Sequence, residues 1–151
     1  MMSEITEDAE IIASEEGITL NADNGSLGMI VNGDERLLRL AISNLLTNAT
    51  KYNLEQNGLI NCKVIQPDKG EEIQIQIQNT GPKISHEIKE KIFERFYRVD
   101  PARGSIKPGF GLGLSLARVI TRAHGGDLVL KSSEGGVNTF LMTIPTINLR
   151  D

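Results

Sequence analysis

The chain has 151 residues, of which 39% are apolar and 24% charged, and this length and composition suit a single globular domain. Sixteen lysines and arginines against twenty acidic residues give a net charge of −4, which argues against sequence-independent nucleic-acid binding because that activity needs a basic surface. The single Cys62 excludes an internal disulfide, one cysteine with two histidines argues against a zinc site, and no apolar run could span a bilayer.

The first 16 residues are acidic and hold few large apolar side chains, so we expect a weakly helical tail or the remnant of a linker helix. The domain itself is expected over residues 17–151. Alternation of Ile18 and Leu20 predicts a first strand, and a following turn leads to a second short strand over residues 28–31.

A long helix is predicted next, from Asn32, which can cap it with Glu35 three residues later, to about Tyr52. At about 100° per residue, one stripe of this helix is apolar and should face the core. The stripe comprises Leu38, Ala41, Ile42, Leu45 and Ala49.

A second face of the same helix carries Asn44, Asn48 and Lys51, with Tyr52 at its border. Asparagine amide oxygens can enter the oxygen shell of Mg2+, and a lysine ammonium neutralises phosphate oxygens. The pattern therefore fits a metal-bridged phosphate chain, although a solvated helix face has the same composition.

Two strands are predicted at residues 59–65 and 72–78. In the second, three isoleucines alternate with three glutamines, which is typical of a sheet covered on one face only. A short helix capped by Ser85 should follow. Its predicted apolar stripe comprises Ile88, Ile92 and Phe96.

A glycine-rich stretch at residues 104–113 precedes a third predicted helix, which Gly125 and Gly126 end. Two last strands are predicted at residues 127–131 and 139–144. Because strands and helices do not alternate strictly, the order predicts a mixed α/β two-layer sandwich rather than a doubly wound sheet. The third helix is predicted to carry Leu116, Val119, Ile120 and Ala123 as its apolar side chains.

Gly109, Gly111 and Gly113 precede the third helix at a spacing that lets backbone N–H groups approach an anion. The loop is not a Walker A motif, because no Lys–Ser/Thr pair follows the last glycine. It is not the dinucleotide fingerprint either, since Leu114 stands where the third glycine belongs. By itself it fits a hinge loop equally well.

Four motifs follow one another along the chain, at residues 44–52, 93–98, 109–114 and 136–140. In that order they resemble the N box, the F box, the G2 box and the closing Gly–Thr element of the catalytic and ATP-binding domain of sensor histidine kinases. The resemblance covers about residues 18–145. It implies a Bergerat-type sandwich, in which three helices cover one face of the mixed sheet, with an ATP lid.

The resemblance also implies roles for individual residues. Asn48 would hold Mg2+, and Asn44 would support the metal and the phosphates. Lys51 and Arg98 would contact phosphates, and together with Asn44 they form the implied catalytic set.

At the other end of the nucleotide, Tyr52 would pack near the adenine and Thr139 would help to satisfy its polar edge. Residues 97–110 would form the mobile ATP lid, and their loop-forming and basic composition fits that role. The remaining implied nucleotide-binding residues are Asn79, Gly81, Ile84, Tyr97, Gly109, Gly111, Leu112, Gly113 and Leu114.

One motif departs from the family pattern. The G1 box usually reads Asp-x-Gly-x-Gly, but here Asn79 replaces the acid and Lys83 the second glycine. A neutral acceptor is weaker than a charged one, and an amide that rotates at little cost should discriminate poorly between ATP and GTP. An Asn-x-Gly version, with the stretch at residues 97–101, is similar to heavy-metal (copper or silver) sensor kinases.

The function implied is Mg-ATP binding and donation of the γ-phosphate to a histidine in a separate helical dimerisation domain, which this sequence lacks, with a response regulator as indirect partner. We expect a cytoplasmic domain of an inner-membrane sensor protein that reaches the membrane only through other parts of that protein. Two alternatives remain: a degenerate module that only binds nucleotide or docks to a partner, and an ATPase of the same superfamily. Against the ATPase, Asn44 stands where such enzymes place a glutamate general base.

Overall fold

The computed structural model describes residues 1–25, 30–67, 71–98 and 111–147. The helices are α1 (Met2–Glu15), α2 (Glu35–Lys51) and α3 (Gly113–Ala123), with two 3-10 turns at His86–Ile88 and Lys91–Phe93. The strands are β1 (Thr19–Asp23), β2 (Leu59–Ile65), β3 (Glu72–Thr80), β4 (Asp127–Glu134) and β5 (Val137–Pro145). None of the helices in these ranges is long and apolar enough to cross a membrane.

The five strands form one sheet in the order β1-β2-β3-β5-β4. β1 and β2 are parallel, and the other neighbours are antiparallel. The predicted mixed sheet is thereby confirmed, and three helices pack against it as expected for a two-layer α/β sandwich.

The core lies between the sheet and the helices. Side chains that face the helices stand opposite one another across the strands: Ile75 pairs with Met142, which in turn pairs with Leu128. All three are buried, whereas Gln74 and Gln76 on the alternate face are half-exposed. This is the alternation that the sequence of β3 predicts.

Helix α2 forms the centre of the helical layer, and all five residues of its predicted apolar stripe are buried. Its N-cap is Asp34, whose Oδ1 accepts hydrogen bonds from the backbone N–H groups of Arg36 and Leu37 at 2.8 and 3.1 Å. The prediction that Asn32 caps the helix is therefore wrong. Only Asp34 stands directly before the first turn, where a side-chain oxygen can reach these N–H groups.

Residues 1–16, expected as a tail or linker remnant, form a packed helix as far as Glu15. Ile5 and Ala13 are fully buried in the same core as α2 and β1, and Glu4 forms an ion pair with Arg39 of α2. Few large apolar side chains take part in this packing, which explains why the weak apolar pattern of the sequence suggested a loose tail. The boundary at residue 16 and the linker role stay predictions.

Two further expectations are corrected. Of the strand predicted at residues 28–31, the described part contains only an isolated bridge between Val31 and Thr146. The helix predicted after Ser85 is replaced by the two 3-10 turns, so its stripe is not maintained: Phe96 is 71% exposed, and Phe93 is buried instead. A three-residue turn advances the side chains by a different angle from an α-helix.

Of the four apolar side chains predicted for helix α3, only Ile120 is buried, and Ala117 is buried in the same core. Leu116 and Val119 are 40% and 55% exposed, while Ser115 and Thr121 are buried beside Ile120. The hydroxyls of Ser115 and Thr121 donate to the carbonyl oxygens of Leu112 and Ala117 at 2.9 and 2.6 Å. Buried hydroxyls are tolerated when they are hydrogen-bonded in this way.

Candidate functional site

The polar face of α2 carries the first group of candidate residues. Asn44 and Asn48 lie one turn apart and are half-buried at the edge of the helical layer. Lys51 follows, with its Nζ 5.4 Å from the centroid of the Tyr52 ring, and Tyr52 is the C-cap of the helix. The four residues thus follow one another along the second half of α2, as far as its C-cap.

The N-terminus of α3 approaches the middle of this face. A Cβ atom built on Gly113 would lie 3.9 Å from the Cβ of Asn44, so the glycine leaves space directly beside the amide. The first N–H groups of a helix attract anions, because they have no partner within the helix and carry the positive end of its dipole. The structure therefore brings one residue of the predicted N box and one of the predicted G2 box together.

The two ends of the predicted lid also meet. The Phe96 N–H donates to the carbonyl oxygen of Gly111 at 3.1 Å. Gly111 has a φ of +68°, and a Cβ there would lie 2.8 Å from the Tyr97 carbonyl oxygen. A residue with a side chain is thus excluded by both conformation and space. The lid itself, with Gly109, lies outside the described residues apart from Tyr97 and Arg98.

The C-terminal end of α2 meets the end of β3. A Cβ on Gly81 would lie 2.6 Å from the carbonyl oxygen of Tyr52 and 3.3 Å from Nδ2 of Asn79, so only glycine fits between them. The Gly81 N–H donates to the carbonyl oxygen of Gly136 in the β4–β5 turn at 3.1 Å. The predicted G1 residue Gly81 therefore lies between the backbone of Tyr52 and the amide of Asn79.

Thr139 does not belong to this group. It pairs with Gln78 in the β3–β5 register and accepts a hydrogen bond from Gln78 Nε2 at 3.2 Å, on the face of the sheet away from the helices. Its neighbour Asn138 pairs with Asn79 on the helix-facing side, and both asparagines are buried. Thr139 is buried on the opposite face from Asn138, because successive strand residues point to opposite faces, and its role at the adenine edge stays a prediction.

Sequence reasoning missed Asn138 and also Ser133, whose Oγ donates to Asn138 Oδ1 at 2.5 Å. A usable signal was present for Asn138. Phe140, Met142 and Ile144 alternate as core residues, and extending that alternation backwards places Asn138, not Thr139, on their face.

The remaining predicted residues take varied positions. Ile84, Tyr97 and Leu114 are half-buried and pack against the core, Arg98 is half-buried, and Leu112 is 39% exposed. The Lys83 Nζ lies 3.8 Å from the carboxylate of Glu134, and both side chains are exposed. The cation therefore pairs with the β4–β5 hairpin.

The described residues contain no group of three or more His, Cys, Asp or Glu that could hold a metal ion by itself. The residues present nevertheless fit Mg2+, which keeps several waters and takes one or two protein oxygen ligands together with substrate phosphates. The half-buried amide of Asn48, one turn from Asn44, could supply such an oxygen.

Two curated relatives are similar in sequence to most of this chain. The sensor-like histidine kinase SenX3 of Mycolicibacterium smegmatis is 34% identical over 145 residues, which are 96% of this chain and 37% of the relative. The sensor histidine kinase CusS of Escherichia coli K12 is 35% identical over 116 residues, 76% of this chain and 23% of that protein. The chain thus spans well under half the length of these relatives.

Solved structures give the same result for the fold. The catalytic domain of histidine kinase ThkA is 26% identical with a TM-score of 0.76, covering 95% of this chain and 93% of that one. Full-length ShkA in complex with AMPPNP is 25% identical with a TM-score of 0.81, covering 97% and 29%. ThkA in complex with response regulator protein TrrA is 25% identical with a TM-score of 0.72, covering 96% and 40%.

The model of one protein family matches residues 33–148, most of the chain. Both relatives are named histidine kinases, and an isolated histidine kinase catalytic domain matches nearly end to end. The chain therefore belongs to the family of histidine kinase-, DNA gyrase B- and HSP90-like ATPases, as a domain of the histidine kinase catalytic type.

Proposed function

We propose that this chain binds Mg-ATP and donates the γ-phosphate to a histidine in a separate helical domain of a sensor kinase. One observation carries the proposal: the polar face of α2 runs between the glycine-lined N-terminus of α3, at Asn44, and the glycine-lined end of β3, at Tyr52. Asn44 and Tyr52 are separated by about 12 Å along the helix axis, given the helical rise. This polar face, whose two ends are chemically different, is the proposed nucleotide groove.

The Tyr52 end suits the base. Gly81 lies there between the backbone carbonyl oxygen of Tyr52 and the amide of the buried Asn79, and an aromatic residue with a hydrogen-bonding amide is the kind of pair that holds a planar base. The Asn44 end suits phosphates, because it combines amide groups with the N-terminus of α3. Lys51 and Arg98 would add positive charge to the phosphate chain.

Asn48 would hold Mg2+, which when bound would supply charge neutralisation for phosphoryl transfer. Protein groups contribute mainly by positioning and charge stabilisation in this chemistry. Asn44 can orient phosphate or metal-bound water but cannot accept a proton as a glutamate does. We therefore expect transfer to a histidine and little ATP hydrolysis.

The same proposal extends to partners and location. A phosphoacceptor helical domain of the same sensor protein would receive the phosphate, and a response regulator would receive it next. The complexes of ShkA with AMPPNP and of ThkA with TrrA support a nucleotide ligand and a response-regulator partner. We place the domain on the cytoplasmic side of a membrane sensor.

Calorimetric titration of the chain with ATP, with and without Mg2+, tests the binding step. Incubation with γ-labelled ATP and the phosphoacceptor domain of the parent sensor tests the transfer step. We expect Mg-dependent binding and label on a histidine of that domain. Binding without transfer would favour a nucleotide-binding module, release of phosphate would favour an ATPase, and absence of binding would contradict the proposal.

A further inference from the structure

The β4–β5 hairpin is hydrogen-bonded to the segment that follows β3, at residues 81–84. The Gly81 N–H donates to the Gly136 carbonyl oxygen at 3.1 Å, and the Ile84 N–H donates to Ser133 Oγ at 2.8 Å. Asn138 Nδ2 donates to the Pro82 carbonyl oxygen at 3.1 Å. The segment is therefore held at its start, middle and end by one hairpin.

Ser133 and Asn138 act together in this contact. The Ser133 hydroxyl accepts from the Ile84 N–H and donates to Asn138 Oδ1, while the Asn138 amide uses its other end on Pro82. The two residues are only 9% and 4% exposed, so water cannot readily replace a lost partner. Both side chains are thus committed to holding the backbone of residues 81–84.

This segment borders the base end of the proposed ATP site. Gly81 lies against the Tyr52 carbonyl oxygen and Asn79 Nδ2, and Ile84 packs against the core. Lys83 stands where the family pattern has a second glycine, and a side chain there makes the backbone less free than a glycine would. Its exposed side chain pairs with Glu134.

We infer that Ser133 and Asn138 are positioning residues for the base end of the nucleotide site, and that they act by fixing the backbone of residues 81–84. The inference rests on the proposed ATP binding. According to this inference, the β4–β5 hairpin raises nucleotide affinity by holding residues 81–84, and neither Ser133 nor Asn138 contacts phosphate or metal. The phosphate end of the groove, at Asn44 and Gly113, should not depend on either residue.

Two variants remove the contacts one at a time. Ser133→Ala deletes the acceptor for the Ile84 N–H, and Asn138→Ala deletes the donor to Pro82. Ser133→Thr keeps the hydroxyl, and Ser132→Ala is a matched control because Ser132 is the preceding residue on β4 and is exposed. Asn138→Thr replaces Asn138→Ala if that variant does not fold.

The measurements are Mg-ATP affinity by calorimetry, hydrogen exchange of the Ile84 amide without nucleotide, and thermal unfolding. We expect both deletions to weaken affinity about three- to tenfold, as for one hydrogen bond, and to accelerate exchange at Ile84. Ser133→Thr and Ser132→Ala should keep the wild-type affinity.

Wild-type affinity in a folded Ser133→Ala or Asn138→Ala protein would overturn the inference, whether or not the Ile84 amide exchanges faster. An equal loss in Ser132→Ala would overturn it as well, because the effect would then be general to β4. A wild-type chain that binds no Mg-ATP would instead contradict the proposed function. The two failures are thereby distinguished.

Discussion

The side-chain amide of Asn79 has a fixed orientation, because its Nδ2 donates to the Thr80 carbonyl oxygen at 3.0 Å. This leaves Oδ1 as the end of the amide that can accept a hydrogen bond. Reversing the amide would break the bond to Thr80 and place two carbonyl oxygens against each other. The expectation that this amide rotates at little cost is therefore not supported by its surroundings.

From this orientation we predict that the wild-type chain prefers ATP to GTP, since an acceptor matches the 6-amino group of adenine and opposes the 6-oxo group of guanine. Asn79→Ala should lower ATP affinity about three- to tenfold, the worth of roughly one hydrogen bond, and should change GTP affinity less. Competition titrations of both nucleotides on both proteins measure the difference. Equal affinities of the wild type for ATP and GTP would contradict the prediction.

A second prediction at this scale concerns Asn48. Because it is half-buried and off the apolar stripe of α2, Asn48→Ala should keep the fold. Loss of a ligand oxygen should weaken Mg-ATP binding by roughly tenfold or more, while binding without Mg2+ changes little. Calorimetry in the presence and absence of Mg2+ checks this.

Thr47→Ala provides the matched control for Asn48→Ala, since Thr47 is the preceding residue on the same helix and is exposed. It should bind Mg-ATP as the wild type does. An Asn48→Ala protein that is folded and binds Mg-ATP with unchanged affinity would remove Asn48 from the metal site.

Among the elements, α2 and α3 are joined by His124, the C-cap residue of α3. Its Nε2 accepts from the backbone N–H of Asp34, the N-cap of α2, at 3.1 Å, and its Nδ1 lies 2.7 Å from the Ile120 carbonyl oxygen, to which it donates. One imidazole thus connects the end of one helix to the start of the other. Because the candidate residues Asn44, Asn48 and Lys51 belong to α2, this link also helps to fix the position of the candidate site.

We predict that His124→Ala lowers the free energy of unfolding by about 1–3 kcal/mol, because the Asp34 N–H and the Ile120 carbonyl both lose a partner. Urea denaturation at neutral pH measures the change. His86→Ala serves as the control, since His86 is exposed on a 3-10 turn, and it should differ little from the wild type. Equal effects of the two substitutions would show that His124 does not join the helices.

At the scale of the molecule, an ion-pair network connects α3 to β4 and to the turn that precedes the lid. Asp127 Oδ1 accepts from Arg122 Nε at 2.9 Å and lies 3.5 Å from Arg118 Nε. Arg118 also pairs with Glu90 at 2.8 Å and stacks on Phe93, 4.4 Å from the ring centroid. The hydrogen bond from Arg122 holds the pKa of Asp127 below its ordinary value.

A lowered pKa in the folded state means that this carboxylate stabilises the fold above the ordinary aspartate pKa, and that the contribution is lost as the pH falls through the folded-state pKa. Asp127→Asn should therefore lower the Tm at pH 7. The difference in Tm between wild type and variant should shrink toward pH 3. Thermal unfolding at several pH values checks this, and a difference that does not vary with pH would contradict it.

Local patterns in the sequence determined much of this protein. The bounds and buried stripe of α2 follow from a helical period over seventeen residues, and the two faces of β3 follow from strict alternation. The motifs around Asn44, Asn79 and Gly113 were found in the sequence, because their spacing is a property of the chain alone. These features need no knowledge of what packs against them.

Tertiary contacts decided the rest. Whether α1 docks depends on Ile5 and Ala13 meeting a core built from distant strands, and the burial of Ser115 depends on helix α2 lying beside it. The roles of Asn138 and Ser133 depend on the β3–β5 register and on the loop at residues 81–84. The local sequence determines whether a segment has a helical or a strand period. Which other element it packs against, and therefore which polar groups meet, is determined only when remote segments pack together.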